Sequence, residues 1–163
     1  MDYSKVIVSQ YLAALEMLKE AIDQCPGSMW NDPSDRTKFW HIAYHALFYT
    51  HLYLQDTEEA FTPWAKHRKG YHSLGQGRSA QESGEPYEKD TVLEYLAFCQ
   101  QHVAERVPQL DLEAASGFDW LPFGKLELQF YTIRHIQQHT GELMERLGTR
   151  ANLELPWVGM GPA

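Results

Sequence analysis

The sequence is poor in cysteine and in basic side chains, and each shortage argues against a class of protein. Its two cysteines, Cys25 and Cys99, lie far apart with no Cys-x-x-Cys spacing. Neither a disulfide scaffold nor a cysteine zinc site is therefore indicated, and we expect two reduced, structural thiols. The 14 lysines and arginines are outnumbered by 22 acidic residues, for a net charge of -8. A general nucleic-acid surface needs clustered basic residues, so we predict no nucleic-acid partner.

Long apolar runs are also missing. No stretch reaches the roughly 18 consecutive apolar residues that a membrane-spanning helix needs, so we predict no membrane partner. The first residues lack the basic-then-apolar profile of a secretory signal, and we expect a cytoplasmic protein. A length of 163 residues suits one domain, spanning 1–163, with a full hydrophobic core.

Apolar residues recur at helical spacing in four segments, and no segment of any length alternates as a strand does. The predicted helices span residues 3–25, 34–55, 91–107 and 124–147. Thr91 and Glu94 form a capping box that begins the third helix, and Gly148 ends the fourth. The inner stripe of the third helix is predicted to contain Leu93, Leu96, Ala97, Gln100, Val103 and Ala104. Four amphipathic helices with long crossover connections predict an all-α four-helix bundle.

The connection between the second and third helices, residues 56–86, is long, polar and rich in Gly, Ser and Pro. Connections of this length are uncommon inside a compact domain and often cover a site. We expect it to be partly ordered, with Phe61 and Trp64 packed onto the helices. Beyond the fourth helix, residues 149–163 are predicted to return along the bundle as a strap that includes Trp157.

The last predicted helix carries His135 and His139, four residues apart. At roughly 100° per residue they lie about 40° apart on one face, one turn above the other. Such a pair can hold a divalent ion, but a further ligand must come from elsewhere. On the second helix, which is apolar almost all round, a helical wheel places His45 in the middle of the stripe and His41 at its margin. If these two helices are neighbours, His45, His135 and His139 converge.

A second interpretation stays open, because a chain with eight histidines produces such spacings by chance. In that interpretation the three histidines are separate, hydrogen-bonded residues of the core or its rim. The surface is the expected place for His51, His67, His72 and His102. Glu142 lies close in angle to His135, and it is either an exposed helix carboxylate or a partner or base of the site.

Two blocks of the sequence resemble the DinB-like (damage-inducible) superfamily. The blocks are FWHIAYHALFYTHLYL at residues 39–54 and YTIRHIQQH at residues 131–139. Their order, spacing and helical context match across nearly the whole chain. The resemblance implies a four-helix bundle that holds a divalent metal through one histidine of the second helix and two of the last. These ligands fall on His45, His135 and His139, the set that the helical wheels also select.

The resemblance also implies a type of activity. Characterised members include thiol-dependent transferases and isomerases that use low-molecular-weight thiols, and dimers are common among them. Three imidazoles leave positions open for water or substrate, as catalytic metal sites do. Imidazole nitrogen suits several metals, and we expect zinc or nickel before iron, manganese or copper.

We therefore predict a metal-dependent enzyme, a homodimer, that carries out thiol transfer or hydrolysis on a small electrophilic molecule. Glu142 or His41 would move the proton. The predicted walls of an apolar substrate pocket are Trp40, Phe48, Tyr49 and Trp64. The alternative is a non-catalytic binding or stress-related module, since a fold does not imply chemistry.

Overall fold

Within residues 3–75 and 84–161, which the computed structural model describes, the regular structure is helical. The helices are α1 Tyr3–Gln24, α2 Gly27–Trp30, α3 Phe39–Tyr53, α4 Lys89–Arg106 and α5 Lys125–Ala151. A 3-10 turn at Val107–Gln109 extends α4, and an isolated bridge joins Ala115 to Gly124. The predicted all-α class is confirmed.

The long helices share one core because α1 and α3 each pack against both α4 and α5. Leu15 of α1, Leu47 of α3 and Ile136 of α5 are among its fully buried members. The hydroxyl of Tyr11 on α1 donates a buried hydrogen bond of 3.0 Å to Gln129 Oε1 on α5. The packing makes α3 and α5 neighbours, as the convergence of their histidines requires.

The central helix, α3, is buried on almost every side. Its apolar sequence predicts this, because a helix that is hydrophobic all round has no face suited to water. The exceptions are His45 and Tyr49, which are half-buried. Since these residues lie about one turn apart, they form a single strip of α3 that points out of the core.

Two predicted helix starts are wrong. The second helix begins at Phe39 and not at residue 34, because the Ser34 backbone N–H and hydroxyl both donate to Asp32 Oδ1, at 2.9 and 2.7 Å. That pairing makes an Asx-type turn, which competes with helix. The third helix begins at Lys89. Thr91 is therefore already inside it, and the predicted capping box is not formed.

Two predicted helix ends are also wrong. The second helix ends at Tyr53 instead of residue 55. The fourth does not stop at Gly148 but continues to Ala151, where Asn152 follows with a φ of 55°. Asparagine tolerates this left-handed conformation and ends helices much as glycine does.

The predicted inner face of α4 is partly wrong. Ala97 and Ala104 are exposed. The buried residues of α4 are Val92, Tyr95, Leu96, Cys99 and Val103. The large ring of Tyr95 is fully buried, and burying a ring removes more apolar surface from water than burying two alanines.

The described part of the loop at 56–86 packs onto the helices, while residues 76–83 lie outside the described residues. As predicted, Trp64 and Phe61 reach the core: Trp64 stacks on Tyr95 with ring centroids 4.4 Å apart, and Phe61 meets Phe48 edge-on at 5.3 Å. The loop also contacts α3 from Trp40, which meets Tyr71, to His51, which meets Phe61, so it covers one side of that helix along most of its length.

The strap starts at residue 152, after α5, and residues 162 and 163 lie outside the described residues. It returns to α1, where the Gly161 N–H donates to the Ser9 carbonyl at 3.0 Å. A Cβ at Gly161 would lie 2.7 Å from Leu12 Cβ, so the close approach needs glycine. Trp157, which lies within the predicted strap, is 75% exposed and does not pack against the helices.

Two further predictions bear on the kind of protein. Cys25 and Cys99 are buried, free cysteines, as expected for structural thiols. None of the described helices combines the length and the apolar character needed to cross a membrane.

Candidate metal centre

Three histidine side chains converge where α3 meets α5. His135 Nε2 lies 3.0 Å from His45 Nε2 and 3.2 Å from His139 Nε2. The three ring centroids are 4.7 to 4.9 Å apart. One nitrogen from each ring lies within 4.8 Å of the others, so the group could hold a metal ion. The structure thus brings together the three residues that the sequence predicts as ligands, which we call the histidine triad.

Helical periodicity places the two α5 members of the triad. The buried stripe of α5 includes Leu128, Thr132, Ile136, Leu143 and Leu147, as predicted. His135 and His139 lie at the edge of this stripe and face α3 one turn apart. His139 is buried and His135 is half-buried. The triad therefore sits at the rim of the core, between its apolar interior and the surface.

The partner of His45 Nδ1 determines which nitrogen of this ring faces the triad. Nδ1 lies 2.6 Å from the carbonyl oxygen of His72. A carbonyl only accepts hydrogen bonds, so we assign the proton of the neutral ring to Nδ1. The Nε2 lone pair then points toward His135. Metal-binding histidines are commonly oriented by such a bond from the outer nitrogen.

His139 is oriented from its outer side by a carboxylate. Its Nδ1 lies 3.4 Å from Glu142 Oε2, while the other oxygen of Glu142 accepts a 2.9 Å bond from Arg146. Arg146 is itself held by the Thr37 carbonyl at 2.8 Å. Since a carboxylate accepts hydrogen bonds, the proton of His139 belongs on Nδ1. Its Nε2 lone pair therefore also faces His135.

His135 receives both of these lone pairs. A single proton on its Nε2 cannot form full hydrogen bonds to His45 and His139 at once. If the proton is on Nδ1 instead, three lone pairs face one another, and Nδ1 is buried with no hydrogen-bond partner among the described residues. A cation would accept all three lone pairs. Tetrahedral ligands about 2.0–2.1 Å from zinc are roughly 3.3 Å apart, close to the observed 3.0 and 3.2 Å.

Burial keeps these rings neutral. Burial, with a smaller contribution from the neighbouring histidines, lowers the pKa of His45 to about 3 and that of His135 to about 4. The pKa of His139 is also lowered by burial, although Glu142 opposes the shift. Neutral imidazole is the form that binds metals, so the triad is ready to bind an ion near neutral pH.

Two depressions adjoin the triad. One, of about 440 Å³, lies along α5 and is lined by His135 with Tyr131, Arg134 and Gln138. The other, of about 360 Å³, has walls that include Phe48 and Tyr49. The ring of Tyr49 contacts the triad, with centroids 4.8 Å from His45 and 5.7 Å from His135.

Half of the predicted pocket wall is therefore present. Phe48 and Tyr49 line the smaller depression, but Trp40 and Trp64 do not. Trp40 is 1% exposed and donates its indole N–H to Asn31 at 3.0 Å. Trp64 is occupied by its stacking on Tyr95. The two tryptophans are packing residues.

Neither predicted proton-transfer residue is a member of the triad. Glu142 touches His139 at Nδ1, on the nitrogen away from the convergence point. His41 is 2% exposed and stacks on Trp40, with centroids 5.0 Å apart. It is close enough to lower the pKa of His45 slightly. Their catalytic roles stay predictions.

The prediction that four other histidines lie at the surface is wrong for His51, which is 4% exposed. His67, His72 and His102 are half-buried. Sequence reasoning missed the role of His72, whose backbone carbonyl orients His45. A carbonyl oxygen occurs in every residue, so no residue type could have marked it.

Comparison with known proteins gave no match to this chain among family models, curated proteins or solved structures. Its function is therefore inferred from the site itself.

Proposed function

We propose that the protein is a divalent-metal-dependent enzyme of the DinB-like type, with His45, His135 and His139 as the metal ligands. The observation that carries the proposal is the convergence of three Nε2 atoms, with His135 Nε2 3.0 and 3.2 Å from the other two. Two of the rings have acceptors at Nδ1, which leaves their Nε2 lone pairs free. Histidines that served only in packing would each be expected to have a separate hydrogen-bond partner at Nε2 as well.

We also propose that the long helices form a single-domain four-helix bundle with long crossovers, as in that superfamily. The pairing of α1 and α3 with both α4 and α5 supports this arrangement. The short α2 would be an addition within the first connection. The homodimer and the cytoplasmic location stay predictions from the sequence and the resemblance.

In the proposed reaction, the residues around the triad orient the histidine rings and bind the small electrophile. His45, His135 and His139 would hold the divalent ion, which would supply Lewis acidity to a water or a thiol at the site. His72 and Glu142 hold the protons on the outer nitrogens of His45 and His139, respectively. Phe48 and Tyr49 offer an apolar wall to a small electrophile. The reaction class is thiol transfer or hydrolysis.

The test is metal analysis of protein purified without a histidine tag. We expect about one zinc or nickel ion per chain, since three imidazoles are a complete set for an open site. His135→Ala should abolish the binding, whereas the matched control His102→Ala, a half-buried histidine outside the triad, should leave it intact.

Two other results would change the conclusion. If neither zinc, nickel, iron, manganese nor copper binds, the triad is a packing cluster and the proposal is wrong. If an ion binds but the protein shows no transfer or hydrolysis with thiols and electrophilic substrates, the metal site stands and the non-catalytic module becomes the better function.

A further inference from the structure

The smaller depression beside the triad has a composition that points to one class of ligand. Aromatic rings make up most of its wall, from Phe48, Tyr49, Tyr53, Phe61 and Trp120. A single carboxylate, Glu58, also lines it. We call this depression the aromatic pocket. Its volume of about 360 Å³ is at the small end of the range of ligand sites.

The rings form a continuous surface. Tyr49 lies 5.5 Å from Tyr53, and Phe48 lies 5.3 Å from Phe61, measured between centroids. Trp120 closes the outer side, where its indole N–H donates to the Tyr53 hydroxyl at 3.4 Å. Trp120 is 48% exposed, so its ring is available to a ligand. Aromatic faces carry negative potential and attract cations.

Glu58 is held at this pocket because its own loop is bonded to the loop that contains Gly117. Its backbone N–H donates to the Gly117 carbonyl at 3.2 Å. Gly117 has a φ of 85°, and a Cβ there would lie 1.9 Å from the Asp56 carbonyl oxygen, so the two loops touch directly. Lys125 joins them by donating to the carbonyls of Gln55, Asp56 and Ser116. The carboxylate is therefore carried on a fixed rim.

The described residues supply no cation that neutralises Glu58. Within residues 3–75 and 84–161 it takes part in no ion pair. The nearby ammonium of Lys125 is buried, with its protons directed at three carbonyls. Glu58 also lines an adjoining cleft of about 740 Å³ together with Glu59, Glu113 and Asp119. The negative charge of these carboxylates repels anions and concentrates cations near the aromatic pocket.

We infer that the aromatic pocket binds a small organic cation, an amine or quaternary ammonium group attached to an apolar body. The cationic group lies between the aromatic faces and Glu58. The apolar body extends along Phe48 toward Tyr49, whose ring contacts both His45 and His135. The inference deepens the proposed function. Binding of the cation does not depend on that function, but the role of the cation as the substrate of the metal centre does.

The test is calorimetric titration of the full chain with three probes of similar size. Benzyltrimethylammonium carries the cation, benzyl alcohol is neutral, and 3-phenylpropionate is an anion. We expect the cation to bind at least about tenfold more tightly than either control, because only it gains the carboxylate and the ring faces. Equal affinity for the cation and for benzyl alcohol would overturn the inference.

Variants locate the site. Glu58→Gln should weaken cation binding about tenfold and leave benzyl alcohol unchanged. The matched control Glu113→Gln, in the adjoining cleft only, should change neither. Trp120→Leu should weaken the binding of the cation and of benzyl alcohol. Since Glu58 and Trp120 are exposed, we expect both variants to fold, and a melting curve checks this. Unchanged cation binding in Glu58→Gln would place the cation elsewhere.

The same titration in His135→Ala separates this inference from the proposed function. The aromatic pocket does not include His135, so cation binding should persist there without metal. If the protein without any substitution selects the cation but binds no metal, the result would support the pocket and reject the metal centre. Metal binding without cation selectivity would do the reverse.

Discussion

His45 and His51 lie on the same helix, less than two turns apart, and each contacts a second histidine, yet their ring nitrogens meet different partners. His45 Nε2 faces His135 Nε2 at 3.0 Å. His51 Nδ1 faces the Tyr95 hydroxyl at 3.1 Å. The ring of His51 meets that of His102 edge-on, and His102 Nε2 accepts a 2.9 Å bond from the Gln55 amide.

The two regions show that burial and spacing do not by themselves distinguish a group of histidines that could hold a metal from a packed pair. The ring of His51 is wedged between Phe61 and Phe98, each at 4.9 Å, and the partners of the pair are hydroxyl and amide groups. In the triad, by contrast, the outer nitrogens of His45 and His139 bond to acceptors, so their Nε2 lone pairs point toward His135. The chemistry of the partner atoms makes the difference.

Replacing each of these two histidines by alanine should give the largest difference in metal affinity. His45→Ala should weaken zinc or nickel affinity by more than about a hundredfold, since one of three ligands is lost. His51→Ala should leave the affinity unchanged but lower the free energy of unfolding of the metal-free protein by about 2 kcal/mol, through the cavity and the unpartnered Tyr95 hydroxyl. Metal competition titration and urea unfolding measure the two quantities. Comparable losses of affinity in both variants would erase the distinction.

Lowering the pH should reduce the free energy of unfolding through the protonation of His51. Burial lowers the pKa of His51 to about 4, below the roughly 6.5 of an unfolded histidine. The unfolded chain then binds more protons between these values, so stability falls as pH drops from about 6.5 toward 4. The contribution of His51 is at most about 3 kcal/mol. Urea unfolding of metal-free protein across this range should show a shallower decline in His51→Leu. An unchanged slope in that variant would assign the decline to other groups.

The carboxylate behind the triad should have a smaller effect than a ligand. Glu142→Gln removes the charge that orients His139 and should weaken metal affinity about tenfold to a hundredfold. Glu145→Gln, an exposed residue on the same helix, is the matched control and should have no effect. The same metal competition titration measures both. If the two variants behave alike, Glu142 is an ordinary surface carboxylate.

The smallest effect is expected from Gly141→Ala, between His139 and Glu142. A Cβ at this exposed helical position meets nothing within 4 Å. Alanine should raise the free energy of unfolding by about 0.5–1 kcal/mol, because glycine is a poor helix residue. Metal affinity should not change, since the ligand rings are untouched. A large gain in affinity would mean that the flexibility of α5, and not the ring geometry, limits binding.

Most of the candidate site could be predicted because its signal is periodic. His135 and His139 share a face by spacing alone, and the α5 stripe that flanks them is buried as predicted. His45 was selected by its place on α3, and the structure puts it beside the pair. The errors arose where a competing contact, near or far along the chain, outweighed the predicted pattern; the turn between Ser34 and Asp32, for example, delays the start of the second helix. The Thr91 capping box gave way to an earlier helix start, and Tyr95 turned inward to meet His51.

By itself, the sequence determined the helical class and the buried stripe of α5, since hydrophobic periodicity is a local property of the chain. It also determined which histidines share a face of α5. Only the tertiary structure decided that α3 lies against α5, that the His72 carbonyl sets the tautomer of His45, and that His51 packs against Tyr95. Those outcomes depend on contacts between residues far apart in the chain, for which no local pattern exists.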